Sequence, residues 1–436
     1  MLSSLKNAFK IKDIRNKILF TLLVLIVFRL GTYITVPGIN AKALQSVASS
    51  GLVSILDTFS GGGLSNYSIF AMGVSPYITA QIVIQLLQMD IVPRFVEWSK
   101  QGDVGRRKLN QATRYLAIAL AFVQSIGITA GFSALSSLKL VQNPSVETYL
   151  SIGLILTGGT MLTTWMGDMI TDRGLGNGIS MIIFAGIIAR TPKSVYQLYQ
   201  TYFVDVSSSG WWKSCLFILG LIVLVLIIVT FVTWVQQAER RVPIQYTRRV
   251  SGSPDSSYLP LKVNVAGVIP VIFASSFIAT PQTILMAFQN THSQDAWYQT
   301  LTDVFNMQTL DGAILYTVLI VVFTFFYAFV QVNPEKLAEN LQKQGSYIPG
   351  VWPGHETQSY VSSLLMRLST VGALFLGFVS LIPLLAQNLW NLDESIGLGG
   401  TSLLIVVGVA IETMRQVDGL MMKREYVGFI QDPEPA

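Results

Sequence analysis

The sequence predicts an all-α membrane protein that crosses the bilayer about ten times. Hydrophobic residues make up 51% of its 436 residues and charged residues only 12%, and its mean hydropathy is +0.53. Soluble domains carry roughly twice that share of charge. Apolar runs recur along the whole chain, and basic residues gather in alternate connections between them. We therefore expect one polytopic unit without separate soluble domains.

The predicted crossings divide evenly near residue 200. The first half holds 18–36, 69–89, 115–132, 149–170 and a short crossing that begins at Ile179. The second half holds 215–235, 265–279, 314–332, 364–385 and 401–417. Pro270 and Pro281 interrupt the seventh crossing and the tenth carries Glu412, so the count of ten has a margin of one.

The distribution of Lys and Arg tests this count independently. Cytoplasmic loops are richer in both residues than external loops. Arg29 lies within the first crossing, and the outer loops hold Lys42, Lys139, Arg190, Lys193 and Lys213. Every other Lys and Arg lies in the alternate, inner segments. Both termini are therefore expected in the cytoplasm, and the first crossing is expected to be retained rather than cleaved as a signal peptide.

Five crossings in each half imply opposite orientations of the two halves, 1–200 and 201–436. Inverted halves place a functional path at their interface, near the middle of the membrane. The prediction depends on counting crossings, because the two halves show no visible sequence repeat.

The net charge and the cysteine content limit the classes of protein to which the chain can belong. The net charge of +5 comes from loops rather than from one basic face, which argues against a nucleic-acid binder. Cys215 is the single cysteine, so no intrachain disulfide forms, and we expect its thiol to pack as a small hydrophobic group.

Segment 52–64 is the most unusual stretch. A short amphipathic piece leads into Gly61, Gly62 and Gly63, whose backbone freedom would let that piece move relative to the next helix. A flexible external loop is the alternative.

The second crossing places Pro76, Thr79, Gln81 and Gln85 at membrane depth. Polar groups there need protein or water partners. They face either a water-filled path or a neighbouring helix.

Residues 165–180 end one crossing, turn tightly and start the next. Glycines permit the turn and Asn177 is suited to cap the new helix. No strand precedes the glycines and no Lys-Ser/Thr follows them, which excludes a phosphate-binding loop.

Two inner loops, 236–264 and 333–360, are longer than a helix connection requires. Their length and charge favour docking of a large acidic partner, such as a ribosome or a motor protein. Attraction to anionic lipid headgroups is the alternative, which explains the charge but not the length.

Two other classes of protein remain to be weighed. A secondary transporter of small solutes needs an ionisable group near midmembrane, for which Arg29, Asp168 and Glu412 are the candidates. Glu412 is placed to pair with Arg415, one turn on. A membrane enzyme needs a nucleophile with its base or a metal site. The chain contains none of the usual hydrolase or zinc motifs.

From residue 14 to 428 the chain resembles the SecY/Sec61-alpha translocon family. Two segments carry the resemblance most specifically, SIFAMGVSPYITAQIVIQ at 68–85 and GDMITDRGLGNGIS at 167–180. The segments LPLKVN at 259–264, AGVIP at 266–270, Asn333-Pro334 and GGTSLLI at 399–405 agree as well.

The resemblance implies two inverted five-helix halves around an hourglass pore, closed at its waist by bulky aliphatic side chains. An apolar ring wets poorly and blocks ions, yet it parts around an unfolded polypeptide. Motif matching assigns the ring to Val74, Ile78, Ile179, Ile183, Ile272 and Ile405.

The resemblance also implies two moving parts. Segment 52–64 matches a plug that closes the pore on the outer side of the ring. Its plug and hinge residues are Ile55, Phe59, Gly61, Gly62 and Gly63. The second and seventh crossings match a lateral gate that a signal sequence opens toward lipid. Its residues are Thr79, Ile82, Gln85, Ser275 and Ser276.

As a family member, the chain is expected to conduct secretory and membrane proteins in the bacterial cytoplasmic membrane, without cofactor or bond chemistry. The expected partners are SecE and SecG, anionic lipids, and either the SecA ATPase or a ribosome. No contact with nucleic acid is expected other than through the ribosome. Docking is assigned to Arg240, Arg241, Arg248, Arg249 and Trp352. Trp352 departs from the family, which has Arg there, and cannot form the ion pairs of Arg.

Overall fold

The computed structural model describes residues 9–40, 57, 60–89, 91–135, 141, 144–200, 211–246, 257–292, 294–307, 309–390 and 400–427. Ile55, Phe59, Arg248 and Arg249 of the predicted site lie outside these residues. Most of the described chain is helical. Helices satisfy every backbone polar group internally, which is why an apolar chain adopts them in lipid.

The first half contains the helices α1 (Lys12–Gly31), α2 (Ser75–Leu87), α3 (Pro93–Lys100), α4 (Asp103–Leu135), α5 (Val146–Arg173) and α6 (Gly178–Tyr199). The second half contains α7 (Trp211–Gln237), β1 (Glu239–Tyr246), β2 (Ser257–Lys262), α8 (Ile269–His292), α9 (Ala296–Phe305), α10 (Leu310–Gln331), α11 (Pro334–Lys343), β3 (Ser346–Tyr347), α12 (His355–Trp390) and α13 (Gly400–Val427).

Each predicted crossing overlaps one long helix, which confirms the helical fold class. Among the described residues, seven helices are long and apolar enough to span a membrane, and α2 is a shorter apolar helix. The remaining two crossings correspond to α1 and α13. The fifth crossing is longer than the sequence suggested, because α6 continues through Pro192 to Tyr199.

A central hydrophobic cluster joins the two halves. It contains buried residues of α1, α2, α5 and α6 from the first half and of α7, α8, α10, α12 and α13 from the second. Both sets of helices therefore share one core. The apolar side chains that meet there pack the two halves against each other.

Helix α7 presents the opposite surface. Only 11% of its apolar window is buried, and the exposed side chains along it are apolar, namely Leu216, Leu219, Ile222, Leu226 and Ile227. Such a helix faces lipid. Cys215 is exposed on it, so the expected buried thiol was wrong. Apolar surroundings in this chain mean lipid as often as protein core.

The two long inner loops pack together, which the sequence did not suggest. Strand β1 pairs antiparallel with β2 along 239–244 and with β3 at Gln245 and Tyr246. Beneath this sheet lie Val242, Leu261, Ile348, Val361 and Leu365 in a cluster of their own. A small sheet domain therefore rests on the inner end of α12.

Close approach of the segment before α2 requires Gly159 in α5. A Cβ atom at Gly159 would lie 1.8 Å from the carbonyl oxygen of Ile69, whereas one at Gly158 would have nothing within 4 Å. The two neighbouring glycines therefore differ in the space around them, and Gly158 can serve as a control for Gly159.

We expect Gly159→Ala to destabilise the protein by about 1–3 kcal/mol, because the added methyl group meets backbone that cannot rotate away. Gly158→Ala should be neutral or stabilise by up to about 1 kcal/mol through helix propensity. Thermal unfolding of both variants in detergent measures the difference. Equal melting temperatures would contradict the close approach.

Candidate functional site

The residues predicted for the ring meet at the centre of the molecule. Five belong to the central cluster and are 0–4% exposed, namely Val74, Ile78, Ile183, Ile272 and Ile405. The sixth, Ile179, is partly buried and packs against the same cluster. The structure therefore brings together side chains from α2, α6, α8 and α13.

Local sequence explains how two of these helices begin at the cluster. Pro76 occupies the first turn of α2, where a proline costs no hydrogen bond. The Asn177 side chain accepts hydrogen bonds from the amides of Ile179 (3.1 Å) and Ser180 (3.3 Å), which confirms the predicted cap. A Cβ at Gly178 would lie 1.8 Å from the carbonyl oxygen of Gly167, so only glycine permits this turn.

The four-residue spacing of the predicted ring residues places their side chains on one face of each helix. Val74 and Ile78 are four residues apart, as are Ile179 and Ile183, and such pairs share one face of a helix. Each helix thus presents two stacked aliphatic groups to the centre. A constriction of this kind is wetted poorly and resists ions.

Toward the outer side, a compact turn holds the glycines. Gly61 and Gly62 have φ angles of +67° and +84°. Ser60, Gly61, Gly63 and Leu64 are buried. A Cβ at Gly61 would lie 3.0 Å from the Cα of Gly186. These glycines allow both the left-handed backbone and the close approach of the turn to α6.

Charged groups surround this turn. The buried carboxylate of Asp57 accepts a hydrogen bond from the amide of Ser65 (2.8 Å) and another from the Ser65 hydroxyl. Nη1 of Arg190 lies 3.5 Å from Oδ2 of Asp57. Nη1 of Arg29 donates to the carbonyl of Gly61 at 2.6 Å. The sequence singled out none of these pairings, since no local pattern joins residues so far apart.

The seam between α2 and α8 has a polar contact. The hydroxyls of Thr79 and Thr280 lie 3.0 Å apart, and Nε2 of Gln124 in α4 donates to Thr280 at 2.8 Å. Thr79 was a predicted gate residue. Gln124 and Thr280 were missed. Gln124 is a polar residue among apolar neighbours in a predicted crossing, whereas Thr280 follows directly after the predicted end of the seventh crossing.

The other predicted gate residues have different surroundings. Ile82 lies in the central cluster, and the hydroxyl of Ser275 donates to the carbonyl of Val271 in its own helix at 2.8 Å. Within the described chain, the buried Ser276 hydroxyl and Oε1 of Gln85 have no hydrogen-bond partner. Unpaired polar atoms at a helix seam weaken it, because each loses its water without gaining a partner.

Two of the three ionisable groups considered for solute transport, Asp168 and Arg29, have structural partners. Asp168 pairs with Arg114 at 2.6 Å, and Arg29 holds the turn as described above. Arg415 donates to the carbonyls of Gln236 (3.4 Å) and Gln237 (3.5 Å), instead of forming the suggested pair with Glu412. These partners explain the charges without a transported ion.

The three described docking residues, Arg240, Arg241 and Trp352, lie on the inner sheet domain. Arg240 is exposed, and Trp352 is 78% exposed. Nε of Arg241 lies 3.0 Å from Oε1 of Glu239, and its guanidinium lies 4.8 Å from the ring centre of Tyr258. Burial lowers the pKa of Lys262, and nearby Arg415 lowers it further. The domain therefore exposes basic and aromatic groups on one surface.

Known proteins share both the sequence and this architecture. The SecY family model matches residues 68–414. Protein translocase subunit SecY 1 of Lactobacillus kefiranofaciens is 65% identical over 431 residues, which cover 99% of this chain and 100% of that protein. Protein translocase subunit SecY of Bacillus subtilis is 50% identical over 436 residues, with 99% and 100% covered.

Solved structures agree in fold. A structure of a protein-conducting channel matches with a TM-score of 0.65 and 16% identity, covering 93% of this chain and 92% of that one. Sec61 in a canine ribosome-channel complex matches with a TM-score of 0.61 and 15% identity, with the same coverage.

A helical membrane protein with this fold and a closed apolar waist is a protein-conducting channel. The chain belongs to the SecY family. The matches support protein translocation and not transport of small solutes.

Proposed function

We propose that the chain forms the pore through which unfolded secretory proteins cross the bacterial cytoplasmic membrane, and from which membrane proteins leave sideways into lipid. The observation that carries this proposal is the convergence of five predicted ring residues, from both halves, in one buried apolar cluster. Conduction through it makes and breaks no covalent bond and requires no cofactor.

In the proposed mechanism, the aliphatic ring closes on itself when the channel is idle and parts when a polypeptide enters. Dispersion contacts between aliphatic groups are weak individually and have no preferred direction. They therefore re-form around a translocating chain of almost any sequence. A ring built from hydrogen bonds would instead select particular side chains.

The outer turn is the described part of the proposed plug. Leu64 is buried with Tyr67, Phe132 and Leu156 in a cluster on the outer side of the first half. With the turn seated there, the outer mouth is filled. Polypeptide entry would displace it, with Gly61, Gly62 and Gly63 as the proposed hinge.

The lateral gate is proposed between α2 and α8, with α4 behind it. Thr280 shares hydrogen bonds with Thr79 and Gln124, so the closed seam is held by a few polar contacts. A signal helix that buries apolar surface between α2 and α8 would replace them.

The proposed partners follow from the surfaces. The inner sheet domain would dock the SecA ATPase or a ribosome; Sec61 and Ssh1, whose folds this chain shares, have been seen in complexes with ribosomes. SecE and SecG would bind the apolar outer helices, and anionic lipids the basic inner loops. The excess of Lys and Arg in alternate loops supports cytoplasmic termini. The division into five crossings on each side of residue 200 supports inverted halves, 1–200 and 201–436.

A crosslinking experiment tests the path. Single cysteines replace Ile78, Ile183 and Ile272 in a chain lacking Cys215, and a stalled precursor carries a thiol-reactive probe. We expect adducts at all three positions, because the ring surrounds the polypeptide. Leu226→Cys on the exposed face of α7 is the control and should give none. Adducts absent from the ring, in complexes shown to hold precursor, would refute the pore.

A second prediction concerns Thr280. Thr280→Val keeps the shape but removes the hydroxyl that Thr79 and Gln124 share, so the closed gate loses about 1–3 kcal/mol. Precursors with weakly hydrophobic signal sequences should then be translocated more efficiently. Thr283→Val is the control, because its hydroxyl donates to the Thr280 carbonyl within the same helix. Equal signal selectivity in both variants would refute the gate.

A third prediction concerns docking. Arg240→Glu reverses an exposed charge on the inner sheet and should weaken ribosome or SecA binding to reconstituted vesicles by about threefold, more at low salt. Lys193→Glu, which is exposed in the second half of α6, changes the net charge equally and should have no effect. If both variants bind as the parent does, Arg240 lies outside the docking surface.

A further inference from the structure

Two arginines lie on either side of the outer turn. Arg29 stands near the end of α1 and Arg190 in the second half of α6, and a Cβ at Gly62 would lie 3.4 Å from Nη1 of Arg29 and 4.0 Å from Cγ of Arg190. The Gly62 backbone therefore passes between them. Side chains from two helices therefore reach one short turn, and the backbone at Gly62 favours glycine.

The Asp57 carboxylate binds the turn and α6 at once. Within the segment it accepts hydrogen bonds from the amide and hydroxyl of Ser65 and, at 3.4 Å, from the hydroxyl of Ser60. Toward α6 it faces the guanidinium of Arg190 at 3.5 Å. Asp57 is 2% exposed and the Arg190 side chain 19%. An ion pair this shielded is screened far less than a surface pair.

Arg29 supplies the second attachment. Its Nη1 donates to the Gly61 carbonyl at 2.6 Å, while Nη2 donates to the Tyr33 hydroxyl at 3.0 Å. The guanidinium also lies 5.0 Å from the centre of the Tyr33 ring. Tyr33 thus orients Arg29 toward the turn, and the charged donor strengthens the bond to Gly61.

We propose that Arg29 and Arg190 are positioning residues that latch the outer turn, through Gly61 and Asp57, in the closed channel. The inference rests on the proposed role of the turn as part of the plug. The hydrophobic fit of Leu64 fills the mouth, and the latch determines how often the turn leaves it. Both arginines stand on helices of the first half, so parting the two halves leaves the latch intact. Release of the turn and opening of the lateral gate are therefore separable steps.

Ion leak through the idle channel tests the latch. The complex with its partner subunits is reconstituted into planar bilayers, and conductance is compared for Asp57→Asn, Arg190→Met and the double variant. Each single change should raise the leak by about fivefold or more, since it removes the shielded ion pair that joins the turn to α6. The double variant should leak no more than the worse single variant, because both remove one interaction. Arg190→Lys should restore most of the seal.

Lys193→Met is the matched control, since Lys193 is exposed one turn beyond Arg190, and it should leave the leak unchanged. If Asp57→Asn yields no intact complex, Arg190→Met and Arg190→Lys carry the test. The latch would be overturned if the single variants leak no more than the control. It would also be overturned if the increase in leak of the double variant equals the product of the increases of the two single variants.

Translocation in the same membranes separates this inference from the proposed function. The latch predicts that Arg190→Met still translocates precursors and keeps the parent's signal selectivity, unlike Thr280→Val. A parent complex that translocates nothing would refute the proposed function, whatever the leak measurements show.

Discussion

The rest of the structure depends on the aliphatic contact at the centre of the molecule. Lipid surrounds the helices, so burial of apolar surface gives little preference for one helix partner over another. Close packing must therefore hold the two halves together, and the cluster around Ile78, Ile183 and Ile272 supplies it. This contact has no directional bonds, and in the proposed mechanism it closes the idle channel and parts around a polypeptide.

Polar contacts lie around that centre and differ in strength. At the seam between α2 and α8, one neutral hydroxyl, that of Thr280, links three helices. At the outer turn, charge-assisted contacts from Arg29 and Arg190 hold a buried backbone. Neutral hydrogen bonds contribute less than charged ones. The structure thus combines a seam held by neutral hydrogen bonds with a turn held by charged groups.

At the end of the molecule that carries the small sheet, pairing of β1 with β3 unites two loops that are far apart in the chain. The resulting sheet fixes Arg240 and Trp352 on one small domain over the inner end of α12. Trp352 is exposed and offers apolar rather than ionic contact. A partner bound there would act directly on the second half.

The sequence by itself determined the helical class, the crossings and the Asn177 cap, because hydropathy, helix period and glycine positions are local properties. The assignment of aliphatic residues to a pore ring came instead from the family resemblance, and it stays a prediction. The sequence did not reveal the inner sheet, the exposure of Cys215, or the contacts of Gln124 with Thr280 and Asp57 with Arg190. Each of these depends on which helix faces which, and on whether an apolar side chain meets lipid or protein. Only the tertiary structure decides that, since packing brings together residues that no local pattern connects.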